Sequence, residues 1–259
     1  MAISTMDGLV AALASAQSAS FNKTSVTVAT GDLPVSLWSV GGFPNVGVAP
    51  AGPGAGGSTL SSASTGAIPF TNPGGGNSTY LARVSAASRR PAQLVLYDRL
   101  WHCGPIAFNG VTAVTTPPDM PRYGATYAGL EIWVEWTTIA AAAGCSFVAR
   151  YGDSSINQPT AGNKSTLAVT NATGYGNPGE MMQLPLPQPD GGVQFVDQLT
   201  VSGGNAGAGN LVVMKRLATW TLGGDSNCGG EFDFTKLGLP QIADNACLAL
   251  MLISPNATV

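Results

Sequence analysis

The sequence predicts an all-β fold: two tandem β-sandwich or jelly-roll-like modules preceded by a short N-terminal helix. Three observations carry this. From about residue 20 onward, 34 glycines and 18 prolines punctuate short runs of Val, Leu, Ile, Thr, Trp and Tyr, the pattern of many short strands joined by turns. Only the first 20 residues carry a helical period. Similar segments then recur at a spacing close to 117 residues.

The helix lies in "STMDGLVAALASAQSAS", where Met6, Leu9, Val10 and Leu13 fall at i, i+3, i+4 and i+7 and build one apolar stripe. Ser4 and Asp7 have the spacing of a capping box, with Asp in place of Glu. A stripe this thin either docks on a neighbouring surface or packs on its own domain. We take residues 1–20 as a docking arm, with those four residues as its contact face. A first module, 21–140, takes expected strands at 24–30, 35–40, 79–85, 93–101, 106–115 and 129–139. A second, 141–259, takes strands at 145–151, 193–202, 211–222, 231–235 and 246–253. In "GLEIWVEWTTI" apolar residues alternate with Glu131 and Glu135, so both carboxylates are expected on a solvated strand face. The Gly/Pro-rich stretches 41–57 and 174–192 read as surface loops.

The module division rests on internal similarity. Val84-Ser85 matches Val201-Ser202, Leu94-Val95 matches Leu211-Val212, and Arg99-Leu100 matches Arg216-Leu217, each pair 117 residues apart. "AGLEIWVEW" (128–136) aligns with "ACLALMLIS" (246–254) at an offset of 118. The matches are collinear, and units of roughly 115 residues suit one sandwich each.

Charged residues are only 10% of the chain, against about 25% in an average soluble protein, and a low-charge surface favours association. The net charge is −3 and the longest basic run is Arg89-Arg90, so no basic stripe points to nucleic acid. No apolar run has the length of a bilayer span. The first residues carry no Lys or Arg ahead of their apolar part, unlike a secretory signal. Cys103, Cys145, Cys228 and Cys247 are widely spaced, with no C-x-x-C and a single histidine to join them. They are expected as free thiols packed as small hydrophobes.

The densest chemistry lies in "AQLVLYDRLWHCG" (92–104), with Asp98, His102 and Cys103. A serine triad would need a nucleophile as well; "GDS" occurs at 152–154 and 224–226, but no G-x-S-x-G elbow does. His102 and Cys103 are neighbours on a strand and point to opposite faces. "GPGAGGST" (52–59) lacks the lysine of a phosphate loop. Glu131 and Glu135 lie about 13 Å apart along one strand, beyond the separation of a glycosidase pair. Trp38, Trp101, Trp133, Trp136 and Trp220 all fall in expected strands and read as core. No catalytic, cofactor-binding or metal residue is expected.

The helix "MDGLVAALASAQ", the all-β body, "TGAIPFTNPGGGNSTYLARVSA" (65–86) and "LYDRLWHCG" (96–104) together resemble structural proteins of tailed-bacteriophage virions, nearest in type to head decoration, or cement, proteins. The resemblance implies β-sandwich or jelly-roll modules on the outside of an icosahedral capsid. It also implies dimers or trimers bound to the major capsid protein lattice, made in the host bacterial cytoplasm, with no family catalytic residue to place. A tail, fibre or shell component of the same virion, or a carbohydrate-binding module, are the other readings.

Overall fold

The structure is a computed structural model that describes residues 5–24, 26, 34–124, 127–138, 144–153, 164–171, 177–203, 207–224 and 227–254. It is 48% strand and 8% helix, an all-β chain with a short N-terminal helix. The first half runs α1 (Met6–Leu13), β1 (Asn22–Lys23), β2 (Pro34–Ser36), β3 (Gly42–Phe43), β4 (Ser58–Thr59), β5 (Thr79–Tyr80), β6 (Arg83–Ser88), β7 (Ala92–Ala107), β8 (Val111–Ala113) and β9 (Leu130–Thr138). The second runs β10 (Ser146–Asp153), β11 (Lys164–Ser165), β12 (Val169–Thr170), β13 (Met181–Leu184), β14 (Val193–Ser202), β15 (Ala208–Leu222), β16 (Cys228–Asp233), α2 (Phe234–Leu237), β17 (Gln241–Ile242) and β18 (Leu248–Ile253).

The centre is an antiparallel sheet in the order β13-β9-β15-β7-β18-β2, with β4 added along β7. It curls until its two edges meet. Val35 of β2 and Glu180, beside β13, form an antiparallel bridge, and Ser36 N donates to Gly179 O at 2.8 Å. Closure of this kind removes the exposed edges that an open sheet would present. Side-chain alternation then gives each strand an inside and an outside. Inside lie Val95, Tyr97, Trp133, Val212, Met214, Cys247, Ala249 and Met251, capped by Trp38, Leu60 and Ala67 from the loops.

Two layers cover the outside. One is a five-stranded sheet, β11-β10-β14-β8 with β12 on β10. It packs Phe147, Ala149, Tyr151, Val196, Leu199 and Val201 against Ile132, Val134, Trp136, Trp101 and Val213 of the central sheet. Phe108, Trp136 and Phe147 meet edge-to-face there, with centroids 5.0–5.6 Å apart. The other layer is made of the ribbons β6–β16 and β5–β17. It lies over Leu94, Leu96, Trp220, Leu222, Leu248, Leu250 and Leu252. β7 and β15 serve both layers because each is long. Two bulges in the β7–β15 pairing, one skipping Leu100 on β7 and one skipping Leu217 on β15, change the outward parity midway.

The expected boundary at 140/141 does not separate sheets. β7, from 21–140, and β15, from 141–259, are direct partners along their whole length, and β8 joins the sheet of β10 and β14. Nor do the strands at 93–101 and 210–218 lie in two separate sandwiches; they sit side by side in one curled sheet. The physical reason is that the main-chain groups of β7 and β15 are satisfied across the halves, by each other and by β18 and β9. The expected strand 24–30 falls mostly outside the described residues, and the expected strand 106–115 divides between the end of β7 and β8.

Candidate functional site

The chemistry of residues 92–104 is sorted by strand parity. Asp98 points outward and His102 inward, while Cys103 packs into the core under the five-stranded sheet. They form no common constellation. Asp98 is fully buried and its carboxylate takes three donors: Oδ1 accepts from Arg122 Nη1 at 2.5 Å and Cys247 N at 2.8 Å, and Oδ2 accepts from Tyr123 Oη at 2.9 Å. Burial, joined by the Asp98 charge and hydrogen bond, pushes the Tyr123 phenol well above its ordinary range.

Inside the curled sheet lies a polar cluster that sequence reasoning missed. Arg99 donates to both oxygens of Glu135, Nη2 to Oε2 at 2.6 Å and Nη1 to Oε1 at 3.3 Å, and both side chains are buried. Asn210 Nδ2 donates to Glu135 Oε2 at 3.2 Å, and Ser36 Oγ and Tyr97 Oη share a hydrogen bond of 3.2 Å. The Arg99 guanidinium lies 5.2 Å from the centroid of the Trp38 ring. Burial alone would raise the Glu135 carboxyl, but the Arg99 charge and hydrogen bonds outweigh it and hold the group below its ordinary value. Glu135 is therefore not on a solvated face, as alternation along β9 suggested; its face is the inside of the sheet. Glu131, nearer the rim, accepts from Arg216 Nε at 2.8 Å and Trp133 Nε1 at 2.9 Å.

His102 sits beside this pair, its Nδ1 3.3 Å from Arg99 Nη2 and its Nε2 without a partner among the described residues. Burial, reinforced by the Arg99 charge, lowers its pKa to about 3. It is a neutral packed imidazole at ordinary pH, with no substrate-facing surface. Burial pushes the Cys103 and Cys247 thiols up to about 12, and all four cysteines are buried and outside any disulfide. All five tryptophans are buried too. Residues 52–59 pack along β7, with Trp101 Nε1 donating to Gly56 O at 2.9 Å. Of the two "GDS" triplets, Gly152 and Asp153 lie at the end of β10, whereas Ser154 and Asp225-Ser226 fall outside the described residues. Asp153 accepts from Lys164 Nζ at 2.7 Å, and Lys164 also reaches Asp190 at 2.5 Å. This trio ties β10 and β11 to the loop ahead of β14. Among the described residues no group of His, Cys, Asp and Glu is placed to hold a metal ion.

The predicted docking stripe divides. Met6, Val10 and Leu13 are 63%, 62% and 46% exposed and lie at i, i+4 and i+7 on one outward face of α1, whereas Leu9 is 5% exposed and turned inward. So the expected face of four residues is a face of three, with Leu9 as its anchor. The N-cap is Thr5, whose hydroxyl accepts from Gly8 N at 3.1 Å; Ser4, expected to cap, lies outside the described residues. Below the helix, Gln17 grips the main chain at Thr71. Its Nε2 donates to Thr71 O and its Oε1 accepts from Thr71 N, both at 2.7 Å. The arm is thereby held to the body while its apolar face stays in solvent.

A groove of about 490 Å³ opens on the outside of the β7–β15 pair, where the two covering layers part. Arg122, Tyr123, Lys215, Arg216, Leu217 and Gln241 line it. No helix among the described residues is long and apolar enough to cross a membrane. Compared with known proteins, the chain matches no protein-family model, no curated protein and no solved structure.

Proposed function

We propose that this chain is a non-enzymatic virion structural protein, a decoration or cement protein that binds the major capsid protein lattice on the outside of an icosahedral phage head. On this reading it is made in the host bacterial cytoplasm and acts as a homo-oligomer. The observation that carries the reading is the outward apolar face of α1, pinned to the body by Gln17 and Thr71 but left uncovered by it. Three such side chains make a weak contact, each contributing about 1.5–3 kcal/mol if fully covered, less the ordering cost. Repeated by symmetry over a shell, weak contacts sum through effective concentration. The chain's low charge density suits that role. A tail, fibre or shell part would use the same face. A carbohydrate-binding module would draw on exposed aromatic rings, and the tryptophans here are all buried.

The test is co-sedimentation of the purified protein with heads, tails and fibres of the virion whose genome encodes it. Binding to heads, abolished by Val10→Asp with Leu13→Asp, is the expected result. Binding to tails alone, or specific glycan binding with no particle binding, overturns it.

We infer further that the architecture is a duplication in intertwined rather than tandem form. The order β13-β9-β15-β7-β18-β2 reads the same from either end if β7 corresponds to β15, β9 to β18 and β2 to β13. The first two correspondences are those of the 117 and 118 offsets. The matched Arg99-Leu100 and Arg216-Leu217 pairs carry equivalent bulges, placed symmetrically about the paired residues Asp98 and Lys215. The edge pairs correspond as well: β6 with β16 on one side, β14 with β8 on the other. In such an arrangement the third central strand of each half pairs with the second strand of the other.

A further inference from the structure

We propose that the groove between the two covering layers is an anion-binding cleft that takes carboxylate side chains from an acidic segment of a partner protein. The chain is net negative and has only 11 Lys and Arg residues, yet three of them, Arg122, Lys215 and Arg216, line this one groove.

The carboxylates paired with the lining residues are already occupied. Asp98 is fully buried and takes three donors. Glu131 is engaged by Arg216 and Trp133. Lys215 has no ion-pair partner among the described residues. Its Nζ donates to Ala128 O at 3.0 Å and lies 4.1 Å from the Tyr123 ring centroid. An ammonium has three donors, so this one has hydrogen-bonding capacity left for a ligand. Partial burial also lowers its pKa, offset only in part by the Asp98 charge, and an incoming anion would relieve the remainder.

The walls are held in place beforehand. Tyr123 and Arg122 are both tied to Asp98, and Arg122 also donates to Leu60 O. Leu217 and Pro240 supply apolar sides. The donor set favours a carboxylate over a phosphate group. Arg122 turns one N–H of each terminal nitrogen to Asp98 and to Leu60 O, and the Arg216 guanidinium bonds Glu131 through Nε and Nη2. Lys215 therefore acts as a point charge rather than as part of a bidentate phosphate clamp. A nucleic acid would need an extended basic stripe.

The experiment is isothermal titration of the full-length protein with hexaglutamate, with hexalysine and inorganic phosphate as comparison ligands, at low and at high salt. Hexaglutamate should bind saturably at low salt and weaken as salt rises. Lys215→Met and Arg216→Gln should each weaken it about fivefold, the effect of one exposed charge pair. Lys236→Gln, outside the groove, should leave it unchanged. Melting curves confirm that the variants are folded; Arg216→Gln also removes the ion pair to Glu131, so Lys215→Met, which breaks no ion pair among the described residues, is the cleaner of the two. No saturable hexaglutamate binding, binding indifferent to both groove variants, or phosphate binding as tightly as the peptide, each overturns the proposal.

Discussion

His102 shows how one residue can be prominent in a sequence and silent in chemistry. It is the only histidine, yet it is packed inside the curled sheet against Arg99 and Trp38. Its consequence is for stability. The folded imidazole takes a proton only near pH 3, whereas the unfolded one does so near its ordinary value of 6.5. Between those values the unfolded chain binds more protons, so stability falls as the pH drops through that window. The loss is on the order of a few kcal/mol by pH 4. Glu135, held below its ordinary 4.5, contributes stability above that value and loses it as pH falls through the folded one. Urea midpoints at neutral and acidic pH, for the wild type and His102→Gln, check this. The variant should lose clearly less stability on acidification, and an identical slope would rule out His102 as its source.

At the level of elements, α1 separates anchoring from display. Among the described residues, deleting 1–20 removes one buried apolar side chain, Leu9, and the Gln17–Thr71 tie. It should cost about 1.5–3 kcal/mol and leave the β core folded, as thermal unfolding followed by near-ultraviolet circular dichroism would show. Loss of the cooperative transition would mean that the helix belongs to the core. The helix was legible because its apolar spacing is local. So were β7, β9, β14, β15 and β18, whose runs of Val, Leu, Ile and aromatics end at Gly or Pro. The Arg99–Glu135 pair was not legible, because nothing in "GLEIWVEW" says which face of β9 is inside. The sheet is covered on both faces, so alternation does not mark solvent. The groove was not legible for a related reason: Arg122 and Lys215 are 93 residues apart in number and meet through Asp98, which holds Arg122 and lies opposite Lys215 in the β7–β15 pairing.

For the whole molecule, intertwining makes a prediction that tandem modules do not. A protease site inserted after Thr138 and cut in the native protein should leave two fragments that co-elute in size-exclusion chromatography and part only in denaturant, because β15 lies between β9 and β7 and β18 lies between β7 and β2. Fragments that separate as two folded units would favour independent modules instead. The same placement of β18 governs how the chain is made. Until Leu248–Ile253 leave the ribosome, the Gln93–Asp98 part of β7 lacks its second neighbour and β2 lacks the only strand it pairs with by more than a bridge among the described residues. The first hundred or so residues therefore wait, with an apolar strand edge exposed, for a partner about 150 positions downstream. Synthesis rate and chaperone supply, more than final stability, would then set the yield of folded protein.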